Sequence, residues 1–117
     1  MTKRILLTGG LGYIGSHTYV ALVAAGYDVV IIDNLSNSKR SVCDRLAQIT
    51  GRETTFVQMD ILDEPALAQL FSDYDFDAVI HFAGLKAVGE SVEKPLEYMQ
   101  VNVTGLVNIL QAMQAAS

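Results

Sequence analysis

Apolar residues along this chain gather in short continuous runs, and each run is followed by a longer stretch with helical spacing. Lys3 to Thr8, centred on Ile5-Leu6-Leu7, reads as a short buried strand, and Tyr13 to Ala25 as a helix closed by Gly26. The β-branched run Asp28-Val29-Val30-Ile31-Ile32 predicts a second strand ending at Asp33. Near-continuous apolar strands of this kind belong in a sheet covered on both faces. Asn34 to Ser41 is polar and loop-like; Val42 to Thr50 predicts a helix stopped by Gly51, and Thr54 to Met59 a third strand ending at Asp60. Pro65 marks the first turn of the next helix, which starts acidic at Asp63-Glu64 and runs to about Ser72. Ala78 to Phe82 is a fourth strand, followed by a loop to Val92. A last helix starts near Pro95, its apolar positions at Val103, Leu106, Val107, Leu110 and Met113. Strands alternating with helices over short connections predict an α/β fold: a parallel sheet of Rossmann type with right-handed crossovers and flanking helices.

The first strand-to-helix connection carries the chemistry. Gly9, Gly10, Gly12 and Gly15 stand within seven positions, after a strand and before a helix. Read as Gly10-Gly12-Gly15 or as Gly9-Gly12-Gly15, the device is the same. Residues without a Cβ let the backbone turn sharply and approach a pyrophosphate, and the last glycine packs helix on strand. The helix that starts here aims unpaired N–H groups and a partial positive charge at the phosphates.

Composition narrows the partners. Half of the 117 residues are hydrophobic, which suits one globular domain with a real core. A formal net charge of -5 argues against nucleic acid and against anionic membrane. Cys43 is the single cysteine, so no disulfide forms within the chain, which suits a reducing cytoplasm. The N-terminal apolar run is cut at Gly9-Gly10, too short for a secretory signal, and no run reaches membrane-spanning length.

Asp33 closes the second strand 18 positions after Gly15, where a dinucleotide site places the acid that accepts from the adenosine ribose hydroxyls. A carboxylate there repels a 2′-phosphate by a few kcal/mol at about 4 Å, which favours NAD over NADP. Lys39 and Arg40, further along the loop, read better as solvated cations than as ligands of that phosphate. Asp60 is the equivalent position one strand on, either an acceptor for an adenine amino group with Ile61 beside the ring or a plain loop aspartate. His81, inside an apolar strand, reads as a satisfied core histidine, and His17 as equally bland; no ligand-like spacing points to a metal. Lys86, after the fourth strand, suits either a pyrophosphate or nucleotide partner or plain solvent.

The run TGGLGYIGSHT (Thr8 to Thr18) resembles the opening of extended short-chain dehydrogenase/reductase proteins, and within that group DNLSNSKRSV (Asp33 to Val42) and IHFAGLKAVGESVEKPLEY (Ile80 to Tyr98) resemble the UDP-glucose 4-epimerase family, also called UDP-galactose 4-epimerases. These are extended short-chain dehydrogenase/reductase proteins acting on nucleotide sugars. The resemblance covers the whole chain but only the N-terminal part of a typical member. It implies cytoplasmic, homodimeric enzymes that oxidise C4 of a UDP-hexose with tightly held NAD and return the hydride to the other face of the 4-keto sugar. It implies that Gly9, Gly12, Tyr13, Ile14 and Gly15 meet the NAD pyrophosphate. Asp33, Asn34, Asn37 and Ser38 would hold the adenosine ribose and its phosphate, with Leu35 and Ser36 in the same loop. Asp60 and Ile61 would frame the adenine. Phe82, Ala83, Gly84, Leu85 and Lys86 would line the nicotinamide half, Lys86 also nearing the substrate, and Asn102 would join the cofactor site.

Members of that family use the tyrosine of a Tyr-x-x-x-Lys pair as the base for the C4 hydroxyl. Four positions after Tyr13, Tyr19, Tyr27, Tyr74 and Tyr98 stand His17, Val23, Ile31, Ala78 and Asn102, none of them lysine. The expectation is therefore an NAD-binding front portion, residues 1–117, without catalytic base or UDP-sugar domain, inactive alone and reduced in NAD affinity. Strand order 3-2-1-4 would leave the fourth strand as an apolar edge and expose one face of the last helix, which predicts self-association. A sibling nucleotide-sugar dehydratase or epimerase, or a non-catalytic NAD-binding module, is the alternative.

Overall fold

The computed structural model describes residues 2–35, 39–83 and 95–116, apart from the side chains of 98–101. Its elements in order are β1 (Arg4–Thr8), α1 (Tyr13–Ala24), β2 (Asp28–Asp33), α2 (Ser41–Thr50), β3 (Thr55–Gln58), α3 (Glu64–Asp73), β4 (Ala78–His81), α4 (Pro95–Met99), a π-helical turn (Gln100–Thr104) and α5 (Gly105–Ala116). The chain divides into two compact units, Met1–Asp60 with Phe76–Phe82 and Ile61–Asp75 with Ala83–Ser117.

The first unit is built on a parallel sheet of order β3-β2-β1-β4. Leu7 pairs with Ile31 on one side and Ile80 on the other, and Thr8 with Ile32 and His81. Successive residues Leu6 and Leu7, and Val30, Ile31 and Ile32, are all buried, as the uninterrupted apolar runs require of central parallel strands. Leu7, Leu11, Tyr19, Val29, Ile31 and Leu46 form one core cluster, against which Phe56, Ile80 and Phe82 pack. At the amino ends of the strands Arg4 meets the Asp28 carboxylate at 2.7 Å and donates its backbone N–H to Asp77 at 2.8 Å. Two helix exits follow the sequence: Gly26 and Gly51 take φ of 94° and 70°, left-handed geometry that glycine supplies without a Cβ penalty. Among the described strands β4 pairs with β1 alone, the edge that the strand order predicts.

In the second unit Asp63 caps α3 by accepting from the Ala66 N–H at 3.2 Å, and Pro65 occupies the first turn. Leu67, Leu70 and Phe71 are the buried face of α3, which packs on α5. The last helix departs from the expected continuous one, because the turn Gln100–Thr104 is π-helical. Such a turn carries an extra residue and rotates the helix beyond it. Val103 and Thr104 are β-branched, which crowds regular helix and favours the break. Beyond it Gly105, Asn108 and Ile109 face inward, while Leu106, Val107, Leu110 and Met113, with Val103 in the turn itself, are exposed. Gly105 allows this close approach, because a Cβ there would force the Ile61 side chain to shift.

Candidate functional site

The glycine turn leaves the carboxyl end of β1 and is held by its own backbone. Gly9 adopts φ 67° and donates its N–H to Ile32 O at 2.9 Å, and its carbonyl accepts from Gly12 at 3.1 Å. The four glycines are not equivalent. A Cβ on Gly10 would press on the Ile31 side chain at 2.7 Å, and one on Gly15 would overlap the Gly9 carbonyl. The fold itself therefore demands Gly9, Gly10 and Gly15, which joins the two triplet readings into one turn. Gly12 differs, because its φ of -73° suits any residue and a Cβ there would meet nothing closer than the Gly9 carbonyl at 3.4 Å. No packing among the described residues accounts for a bare backbone at this point.

Gly12 is also the N-cap of α1, with no side-chain cap and no acid in the first turn. The Ser16 N–H reaches Gly12 O at 2.8 Å, while the N–H groups of Tyr13, Ile14 and Gly15 have no helical carbonyl in front of them. This is a helix head that presents donors and partial positive charge past an uncluttered Cα. The Tyr13 and Ile14 side chains stand out into solvent at 81% and 55% exposure, Tyr13 edge-on to His17 with ring centroids 4.7 Å apart.

Asp33 sits at the end of β2 on the same rim. Its Oδ2 accepts from the Leu11 N–H at 3.2 Å and its Oδ1 from the Leu35 N–H at 2.8 Å. The first bond ties the acid to the glycine turn; the second holds Leu35 in the left-handed region at φ 64°. This bracing role is additional to the one read from the strand-end position. Asn34 is exposed beside it. Ser36, Asn37, Ser38, Gly84, Leu85 and Lys86 lie outside the described residues. Arg40 lays its guanidinium over the Phe56 ring at 5.5 Å, a surface engagement in keeping with a solvated cation.

Asp60 follows β3 and is exposed, whereas Ile61 is buried at 5% exposure, its carbonyl accepting from Asn108 Nδ2 at 3.1 Å. Asn108 is a buried polar contact that the sequence reading missed, although an amide set between Val107 and Ile109 was the available signal. Asn102 is exposed within the π-helical turn. Phe82 donates its N–H to Thr8 O at 3.0 Å and packs on the core cluster, and Ala83 follows, half-buried. His81 is the satisfied histidine expected, with Nδ1 2.6 Å from the fully buried Thr8 hydroxyl. Burial pushes the Cys43 thiol up, the mark of an inert thiol, and likewise raises the Tyr19 phenol. Among the described residues no three His, Cys, Asp or Glu side chains form a metal-binding group, and no helix is long and apolar enough to cross a membrane.

Glycine turn, helix head and strand-end acid together define a Rossmann-type α/β domain. Residues 6–117 match the family described as GDP-mannose 4,6 dehydratase. Over 97% of its length the chain is 53% identical to a UDP-glucose 4-epimerase of Klebsiella pneumoniae, of which it covers 81%. It is 53% identical to the human UDP-glucose 4-epimerase over 98% of this chain and 35% of that one. The crystal structure of UDP-glucose-4-epimerase from Stenotrophomonas maltophila, with bound NAD and formylated UDP-arabinopyranose, is similar at a TM-score of 0.94 and 50% identity, over 97% of this chain and 34% of that one. The chain thus belongs to the GDP-mannose 4,6 dehydratase family and, within it, to the UDP-glucose 4-epimerases. It spans about a third of the length of the human and Stenotrophomonas proteins.

Proposed function

We propose that this chain is the NAD-binding portion of a UDP-glucose 4-epimerase, the enzyme that interconverts UDP-glucose and UDP-galactose through a 4-keto intermediate. The observation that carries the dinucleotide reading is Gly12, a bare Cα that no packing among the described residues requires, standing over the uncapped head of α1 beside Asp33. The choice of epimerase rests on the likeness to the UDP-glucose 4-epimerases of Klebsiella pneumoniae and human.

In this reading the N–H groups of Tyr13 and Ile14, with Gly9, Gly12 and Gly15, hold the pyrophosphate. Asp33 accepts from the adenosine ribose while keeping its bonds to Leu11 and Leu35, since a carboxylate offers about four acceptor positions. Asn34, Leu35, Ser36, Asn37 and Ser38 complete that corner, Asp60 and Ile61 frame the adenine, and Phe82 to Lys86 with Asn102 serve the nicotinamide half and the UDP-hexose. NAD, when bound, supplies a hydride acceptor and donor for C4 of the sugar. No tyrosine here is followed four positions on by lysine, so the base for the C4 hydroxyl is not among these 117 residues. Alone, the chain binds NAD with reduced affinity and does not turn over. The exposed apolar face of α5 supports a homodimer, and the single Cys43 suits the cytoplasm.

Isothermal titration with NAD, run beside an epimerase assay on UDP-galactose, tests the reading. Saturable NAD binding without turnover is expected. Failure to bind any adenine dinucleotide overturns the cofactor assignment, and measurable turnover overturns the predicted inactivity.

A further inference from the structure

We infer that Thr8 and His81 form a positioning pair that sets the distance between the glycine turn and Phe82, and so controls how the site receives the nicotinamide end of a dinucleotide. The inference rests on the dinucleotide reading above and deepens it.

The pair is out of character with its surroundings. The neighbouring strand residues Ile5 to Leu7, Val29 to Ile32 and Ala78 to Ile80 are aliphatic, and Thr8 is fully buried. A buried hydroxyl costs free energy unless it is paired, and here the His81 ring nitrogen lies 2.6 Å away. Thr8 and His81 are register partners on the last rung shared by β1 and β4. Each is the last strand residue before its chain leaves the sheet, Thr8 into Gly9 and His81 into Phe82. The Phe82 N–H then returns to Thr8 O at 3.0 Å, while the Gly9 N–H ties the same point to Ile32. Buried aliphatic faces and the backbone ladder already set the register of β1 on β4, and a short directional polar bond on the last rung adds to them at the point where both chains leave the sheet. The pair thus fastens two exit points that, in the proposed reading, serve the pyrophosphate and the nicotinamide of one ligand.

The test compares NAD with ADP-ribose, which keeps the adenosine and pyrophosphate but lacks nicotinamide, by calorimetry on the 117-residue chain. Wild type is expected to bind NAD more tightly than ADP-ribose. Thr8→Val should weaken NAD about five- to tenfold, the net worth of one buried hydrogen bond, and leave ADP-ribose within about twofold. Thr8→Ser, which keeps the hydroxyl, should restore NAD binding. His81→Asn, whose amide can take the place of Nδ1, should retain NAD affinity and His81→Phe should lose it; these two decide the matter if Thr8→Val does not fold. Equal loss for both nucleotides, or no loss for either, overturns the pair's positioning role. Equal wild-type affinity for the two ligands overturns it as well while leaving the dinucleotide reading intact. Binding of neither ligand overturns the dinucleotide reading itself.

Discussion

The Asp33 carboxylate accepts the Leu11 backbone N–H at 3.2 Å, a bond across 22 residues that joins the end of β2 to the middle of the glycine turn. The other oxygen of the same carboxylate holds Leu35 at a positive φ. One side chain therefore shapes both loops of the rim before any ligand arrives. Asp33→Ala should lower stability by about 1–3 kcal/mol, because two N–H groups lose their acceptor. It should also weaken NAD and narrow the preference for NAD over NADP, since the repulsion of a 2′-phosphate is gone. Denaturant unfolding and parallel titrations with the two nucleotides check both.

The glycines of the turn should separate by cause. Gly12→Ala is expected to leave stability within about 1 kcal/mol of wild type, because its φ and its space accept a methyl. NAD affinity should nonetheless fall about tenfold or more, since that methyl stands where the pyrophosphate must approach. Gly15→Ala should do the reverse, costing about 3 kcal/mol or more through its overlap with the Gly9 carbonyl. Unfolding curves and calorimetry on the two variants give opposite rankings if this is right.

Stability should decline on the alkaline side. Burial raises the folded-state pKa of Cys43 above its ordinary 9.0 and that of Tyr19 above its ordinary 10.0. A folded chain that holds these protons more tightly than the unfolded one is destabilised as pH rises from the ordinary value through the folded one. Unfolding free energy should therefore be insensitive to these groups near neutrality, start to fall above about pH 9 and fall further above about pH 10. Tyr19→Phe should flatten the upper part of that decline and Cys43→Ala the lower part, measured by urea unfolding across the range.

Val107 and Leu110 lie on the exposed apolar face of α5 at 43% and 53% exposure. Faces of this kind associate. Sedimentation should find the chain heavier than its 12.7 kDa monomer at high concentration, and Val107→Lys with Leu110→Lys should return it to the monomer. A wild-type chain that stays monomeric would count against the homodimer.

Strand order and the extent of β1, β2 and α1–α3 were legible in the letters because the signals are local. Apolar runs, a glycine after each of α1 and α2, Asp63 before Pro65 and four glycines after a strand act through the nearest few residues. The existence of the rim and the position of Asp33 follow from the same signals and the handedness of parallel crossovers. Tertiary structure alone decided what each part does. Gly10 and Gly15 are demanded by a side chain and a carbonyl that only folding brings near, while Gly12 is not, although all are one letter in the sequence. Asp33 braces Leu11, Asn108 holds Ile61, and Thr8 meets His81, bonds spanning 22, 47 and 73 residues. The π-helical turn belongs with these, since it brings Gly105 inward against Ile61. Local propensity determines elements; which atoms meet across the chain is determined by packing, where a fraction of an ångström separates a contact from an overlap.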